Sequence, residues 1–378
     1  MTNFEIRAVW PEVPDAKAWS LYLEENKNQN WHSNFGPLSK KFESALQSAY
    51  GMPGETVVTT SSATSGLSAC LIAHDIKGSV LCPAFTFQAS AGAILGAGCT
   101  PVIVDVDAKT GIILPDVLRA ALAETLAKAA FIVAPYGISF DVTEHVEVCR
   151  EAGARLIIDN AAGLGIDRKT LFNRTAMDHV DEVFSLHATK PFGIGEGGAI
   201  FTFAKNDSAL RSAINFGLAT HSSSGTPKPP YWGINGKMSE AAAAVGLATA
   251  ETMAVRVQKR QEMAREWYDT FAEHPDIVYK TDPRHAPWQV FPIFLPSENV
   301  LSEFIGIVAE KGIELRRYYF PSLGDCHGMR SIGNCENSRS LSQRAIVLPI
   351  QSFMPKEQRS TLMANSLESL EIAISKAR

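Results

Sequence analysis

Four short apolar runs punctuate the first half of the chain: Ser79-Val-Leu-Cys82, Pro101-Val-Ile-Val104, Ala130-Phe-Ile-Val133 and Arg155-Leu-Ile-Ile158. Helical patterns over residues 88–96, 114–127 and 142–152 separate them. Strands this short and apolar, alternating with helices, are buried on both faces. They predict an α/β fold, a mostly parallel sheet with helices on both sides. Such sheets bind ligands beyond the carboxyl ends of their strands. Asp159, Ser185 and the turn Ser62-Ala63-Thr64 all fall at ends of that kind.

Upstream, residues 1–35 are polar and broken by Pro11 and Pro14, and read as an arm packed on another surface. Gly36-Pro37 opens an amphipathic helix with Leu38, Phe42, Leu46 and Ala49 on one face. A β-branched strand from Thr56 then meets a hydroxyl-rich turn and a further helix. The first turn of a helix has unpaired N–H groups and a positive dipole end, so small residues there suit a phosphate. An ordinary Ser/Thr N-cap would explain the same residues. Residues 240–265 read as one long helix bridging two lobes. The expected division gives an arm and large domain over 1–250 and a smaller C-terminal α+β domain over 251–378. Strands are expected there at 290–294, 313–315 and 345–350, with helices at 300–311 and 356–376.

The chemistry is concentrated in Phe184-Ser-Leu-His-Ala-Thr-Lys190-Pro-Phe-Gly-Ile-Gly-Glu-Gly-Gly198. A strand, Glu182-Val-Phe184, leads in and another, Ala199-Ile-Phe-Thr-Phe203, leads out. Lysine is mostly a surface residue. Held against apolar walls, its amine loses basicity and becomes a usable nucleophile toward a carbonyl; on an exposed hairpin it would do neither. Gly193, Gly195 and Gly198 match the dinucleotide-binding spacing, which requires a helix afterwards. A strand pattern follows instead, so no nicotinamide or flavin site is expected. Asp159 ends an apolar run and needs a partner. It either caps the turn Asn160-Ala-Ala-Gly163 or holds a cationic ring nitrogen.

The chain has 378 residues, 46% of them hydrophobic and 20% charged, with a formal charge of −5. This balance, without a dense Lys/Arg run, argues against nucleic acid as a partner. No apolar run reaches the length of a membrane span, and the N-terminus lacks a basic-then-apolar leader pattern. Six scattered cysteines form no Cys-x-x-Cys pair and read as reduced thiols of a cytoplasmic protein. No His/carboxylate cluster has metal spacing.

A phosphate site, an aromatic face, a carboxylate for a ring nitrogen and an amine for an aldehyde together describe pyridoxal 5′-phosphate (PLP). In form and order the motifs resemble those of the DegT-type aminotransferases, fold-type I PLP enzymes acting mostly on nucleotide-linked keto sugars. Ser185-Leu-His-Ala-Thr-Lys190 with Glu196-Gly-Gly198 carries the resemblance most specifically. Ser62-Ala-Thr-Ser-Gly-Leu67, Pro83-Ala-Phe-Thr-Phe87, Pro101-Val-Ile-Val-Asp-Val-Asp107 and Asn235-Gly-Lys-Met-Ser-Glu240 extend it. The resemblance implies that Lys190 bonds the cofactor aldehyde and later moves the substrate proton, while Asp159 keeps the ring nitrogen protonated. It implies that Phe87 stacks on the ring. The backbone of Ala63 and Thr64, with the Ser185 hydroxyl, would hold the phosphate. Asn235 would reach the cofactor phosphate of the other subunit, which makes the active sites shared within a homodimer. Lys237 and Tyr318 are the candidate substrate contacts, and His187, on the alternate face from Ser185 if the strand persists, has a structural role as one of its readings. Glutamate is the implied amino donor, and a keto sugar on a nucleoside diphosphate the implied acceptor.

Three positions depart from the family pattern. Ala162 stands where Gln or His is usual, Gly236-Lys237 where Tyr-Arg is common, and Gly324 where His is frequent. A guanidinium grips a phosphate bidentately and an ammonium does not. These departures keep two alternatives in view: a PLP aminotransferase for a non-sugar keto or aldehyde substrate, and a non-catalytic PLP-binding regulator.

Overall fold

The computed structural model describes residues 4–168, 178–218, 232–275, 277 and 283–377. Helix α1 (Ala16–Asn26) is capped by the Asp15 carboxylate and precedes α2 (Pro37–Tyr50), which starts on proline as helices favour. There follow β1 (Glu55–Thr60), α3 (Ala63–Ala73), β2 (Ser79–Pro83), α4 (Gln88–Gly96), β3 (Thr100–Val104), α5 (Pro115–Thr125) and β4 (Ala129–Val133). Next come α6 (Thr143–Glu151), β5 (Arg155–Asp159), β6 (Val180–Ser185) and β7 (Gly198–Phe203). The C-terminal part contributes β8 (Val290–Phe294), β9 (Arg330–Ile332) and β10 (Ala345–Pro349), with helices Glu298–Glu310 and Lys356–Ala377 sharing one apolar core with the β8–β10 pair.

The main sheet has eight strands in the order β1-β7-β6-β5-β4-β2-β3-β9. The β1–β7 and β7–β6 pairs are antiparallel and the others parallel. The predicted mostly parallel α/β sheet is therefore present. Apolar side chains of its central strands divide between two cores, one on each face. Leu81, Val102 and Ile132 join one; Val80, Ile103 and Phe131 join the other. No helix follows Gly198, because the chain enters β7 there.

The long helix runs Glu240–Phe271, past the expected end at 265. Its Ala243, Leu247 and Val257 pack with Phe42 and Phe184, whereas Met263, Trp267 and Phe271 pack with Trp288, Phe291 and Leu348. We place the division between the two lobes inside this helix. The strand expected at 313–315 does not form. Only single bridges join Ile313 to Ile6 and Arg316 to Val347, and the Glu314 carboxylate accepts from the Ala8 N–H (3.2 Å). Two other features were not anticipated. The arm contains α1, whose Trp19, Tyr22 and Leu23 pack on the core shared by α2 and the long helix. The C-terminal part also returns a strand, β9, to the edge of the main sheet beside β3. Among the described residues, no helix is long and apolar enough to cross a membrane.

Candidate active site

A cavity of about 370 Å³ opens at the carboxyl ends of the parallel strands. Its wall includes Ala63 and Thr64 at the start of α3, Phe87 before α4, Asp159 at the end of β5, and Ser185 at the end of β6. Lys190, on the β6–β7 connection, and Tyr318 complete the set predicted to meet there.

Each side chain arrives for a local reason. Ser62 caps α3 in a reciprocal box: its hydroxyl accepts from the Ser65 N–H (3.1 Å), and the Ser65 hydroxyl accepts from the Ser62 N–H (3.1 Å). The N–H groups of Ala63 and Thr64, in the first helical turn, lie between these two and have no helical acceptor. Gly198, at the start of β7, passes directly beneath. A β-carbon there would come within 2.5 Å of Thr60 Oγ1 and 2.7 Å of the Ala63 nitrogen. Glycine is thus required for the turn to sit this close to the sheet.

Asp159 is 6% exposed. The Ser90 hydroxyl donates to its Oδ2 (2.6 Å) and the Ala161 N–H to its Oδ1 (3.2 Å). It caps the following turn, one of the two roles weighed above, and still lines the cavity. Burial pushes its carboxyl above the ordinary range, against the pull of Ser90, the Lys190 charge and the Ala161 N–H. Lys190 shows the converse. Burial brings its amine down to about 8, opposed by the negative charge of Asp159. Its Nζ donates to Gln289 Oε1 (2.9 Å). Phe87 has no side-chain cap to make at α4 and remains 59% exposed, with its ring on the cavity wall. Ser185 Oγ accepts from the His187 N–H (3.2 Å).

On the opposite wall, Tyr136 and Tyr319 stack with ring centres 5.4 Å apart, and Phe85 meets both edge-on. The Tyr136 hydroxyl donates to the Tyr318 carbonyl (2.6 Å), which fixes the segment presenting Tyr318 and Arg316. Burial raises both the Tyr136 and Tyr319 phenols, which stay protonated.

Asn235 and Lys237 lie elsewhere and do not line this cavity. Asn235 is exposed and accepts from Lys237 Nζ (2.7 Å), which sits 4.3 Å from the centre of the Phe216 ring. Gly324 is also outside the lining. It packs against Cys335, where a β-carbon would approach the Cys335 Cβ to 2.6 Å, so close packing accounts for its glycine. Ala162 is a buried part of the wall. Sequence reasoning passed over Ser90, Gln289 and Arg316. Ser90 lies one turn after Phe87, and Arg316 two residues before Tyr318. Gln289 carried no signal, being a neutral residue distant in sequence.

The sequence matches a family model along residues 15–366. The chain belongs to the DegT/DnrJ/EryC1/StrS aminotransferase family. Protein Rv3402c of Mycobacterium tuberculosis (strain ATCC 25618 / H37Rv) is 30% identical over 330 residues, covering 84% of this chain and 77% of its own. The dTDP-4-amino-4,6-dideoxy-D-glucose transaminase of Shigella dysenteriae is 27% identical over 356 residues, covering 92% and 94%. The crystal structure of DesI in the presence of its TDP-sugar product superposes with a TM-score of 0.86 at 25% identity, covering 100% of this chain and 96% of that one.

As in this family of PLP-dependent aminotransferases, the donor set suits the cofactor. A buried carboxylate matches a pyridinium nitrogen, an amine of lowered basicity an aldehyde, open N–H groups at a helix start a phosphate, and an exposed ring a planar face.

Proposed function

We propose that this family member transfers an amino group from an amino acid, glutamate in the first instance, to the keto carbon of a sugar carried on a nucleoside diphosphate. What supports the reading most is one juxtaposition: Lys190 from the β6–β7 connection and Asp159 from the end of β5 share a cavity with the start of α3. The dTDP-sugar for which the Shigella transaminase is named and the TDP-sugar product of the DesI complex favour the nucleotide sugar.

PLP, when bound, supplies an aldehyde that takes an amine covalently and a ring that accepts an electron pair. The chain's residues would do the rest. Ala63 and Thr64 N–H groups, with the Ser185 hydroxyl, would hold the phosphate against the dipole of α3. Phe87 would cover one ring face. Asp159 would keep a proton on the ring nitrogen, and that cation would in turn keep the carboxylate ionised. Lys190 Nζ, neutral in substantial part near pH 8, would take the proton from the amino donor's Cα. Tyr318 would face the acceptor.

Asn235 and Lys237, turned away from the cavity of their own chain, would serve the site of a second copy in a homodimer. Lys237 as a single ammonium would contact a phosphate less specifically than an arginine. Purified protein should be given PLP, glutamate and a panel of dTDP-, UDP- and GDP-linked keto sugars, with amino-sugar formation followed by mass spectrometry. Turnover of one member is expected. Failure of the whole panel, with glutamate still converted to 2-oxoglutarate, would turn the reading toward a non-sugar carbonyl substrate. A glutamate-insensitive absorption spectrum would favour a PLP-binding regulator.

A further inference from the structure

Gln289 lies 99 positions from Lys190 in sequence, immediately before β8, and is 5% exposed. Its Oε1 accepts from Lys190 Nζ (2.9 Å), while its Nε2 donates to Thr189 Oγ1 (3.2 Å). Thr189 Oγ1 lies 2.8 Å from His187 Nδ1, and the Thr189 N–H also points at that nitrogen (3.3 Å). A backbone N–H can only donate, so Nδ1 carries no proton. The Thr189 hydroxyl therefore gives its proton to His187 and turns its lone pairs to Gln289. The remaining imidazole proton sits on Nε2, which faces Glu196 Oε1 at 3.6 Å. Each hydrogen bond linking Lys190, Gln289, Thr189 and His187 thus has one direction, and these directions allow only one amide orientation. The flipped amide would aim its NH₂ at the lysine ammonium and its oxygen at a hydroxyl whose proton is already committed.

We propose that Gln289 is a positioning residue that receives the Lys190 amine whenever the amine is not bonded to the cofactor, with Thr189 and His187 locking the amide for that task. The inference rests on the reading of Lys190 as the cofactor lysine. During each turnover a displaced lysine must wait beside the reacting carbon in one rotamer, and a fixed neutral acceptor provides that. A carboxylate in its place would hold the ammonium too firmly. A flexible acceptor would not hold the side chain still. The polar tie also joins the β6–β7 connection to the start of β8, in the C-terminal part.

The test reads the amine without the cofactor. In cofactor-free full-length protein, the rate of Lys190 acetylation by acetic anhydride is followed against pH by peptide mass mapping. The ionisable or charged groups around the amine are Asp159, Tyr136, Arg316, Tyr318, Tyr319, His187 and Glu196. None is changed by the variants, so a shifted midpoint reports the amide. Gln289→Leu should lower the midpoint by about one pH unit, since an acceptor of the ammonium is lost. Gln289→Glu should raise it. Thr189→Val, which frees the amide to rotate, should lower it by less, and this variant decides the matter if Gln289→Leu does not fold. In PLP-loaded enzyme, Gln289→Leu should lose about tenfold in kcat with the KM for the amino donor nearly unchanged, as expected for a mispositioned group. Midpoints of Thr189→Val and Gln289→Glu both equal to that of the parent chain would overturn the proposal. Failure of the parent chain to take up PLP would instead defeat the functional reading and leave the acetylation result standing.

Discussion

The Ser90 hydroxyl donates a 2.6 Å hydrogen bond to Oδ2 of Asp159, joining α4 to the end of β5 beneath the cavity. Thr86 Oγ1 lies 2.9 Å from the same hydroxyl. Since Ser90 gives its proton to the carboxylate, it accepts from Thr86, and the carboxylate is held by a directed pair of hydroxyls.

Asp159 is buried with too few donors to offset its desolvation, so its folded pKa exceeds its unfolded one. Such a carboxyl stabilises the fold below about pH 4, and that contribution is lost as pH rises through the folded value. Asp159→Asn should therefore leave the cofactor-free protein at least as stable as the parent at pH 7, with a flatter dependence of melting temperature on pH. Turnover should fall by about a hundredfold or more, because the ring nitrogen loses its counter-charge. Calorimetry and steady-state assays check the two halves separately.

With its amine lowered to about 8, Lys190 should bond added PLP at a rate that climbs to about pH 8 and levels off above it. The sign for stability is opposite to that of Asp159. The unfolded chain binds the extra proton above pH 8, so this residue makes the cofactor-free fold more stable as pH rises from there toward the ordinary lysine range. Lys190→Ala should abolish both effects and nearly all turnover, while still taking up the phosphate group. Borohydride reduction and peptide mapping of the parent enzyme should label Lys190 alone.

Gly198→Ala would drive a methyl into the Ser62–Ala63 backbone, which cannot swing away as a side chain could. A loss of about 2 kcal/mol is expected from overpacking. The same push displaces the N–H groups offered to the phosphate, so the Kd for PLP should rise together with the loss of stability. An unchanged Kd in a destabilised variant would separate the turn from cofactor binding.

Arg168 is almost fully buried between Glu55 of β1 (2.8 Å) and Glu182 of β6 (2.6 Å). Arg168→Met would remove the cation that these two buried carboxylates share. A loss of about 3–5 kcal/mol in urea unfolding is expected. The change reaches the strand that leads to Ser185, so PLP affinity should weaken as well.

A shared active site predicts complementation between damaged copies. Lys190→Ala and Asn235→Ala chains, unfolded together and refolded, should regain roughly a quarter of parental activity, because half the dimers are hybrid and each hybrid holds one intact site. Mixtures no more active than the separate variants would place each site within one chain.

The central sheet was legible because β2 to β5 are unbroken apolar runs, which only a sheet covered on both sides can bury. Asp159 and Ser185 were legible because polar groups at buried strand ends need a reason, and Lys190 because a lysine between two buried strands does. β9 was not: Arg330-Ser-Ile332 is short and largely exposed, and its pairing depends on β3 lying alongside. Residues 313–315 misled in the other direction. Their apolar–acidic–apolar pattern suits a strand, but the Glu314 N–H bonds Ile6 of the N-terminal arm, the Ile313 N–H turns back to Val308, and β10 is reached only at Arg316. Gln289 was invisible for a plainer reason. An uncharged amide acquires meaning only from its neighbours, and those come from a distant part of the chain.

The placement of β9 has a consequence for synthesis. As the polypeptide leaves the ribosome, every other strand of the large sheet is available long before residues 330–332 appear, and until then β3 presents a bare flank of unpaired N–H and C=O groups. That flank could join another nascent chain. The last strand of this sheet to emerge is the one that seals it, so a ribosome stalled just short of this point should release a product that clumps, whereas one stalled beyond it should not.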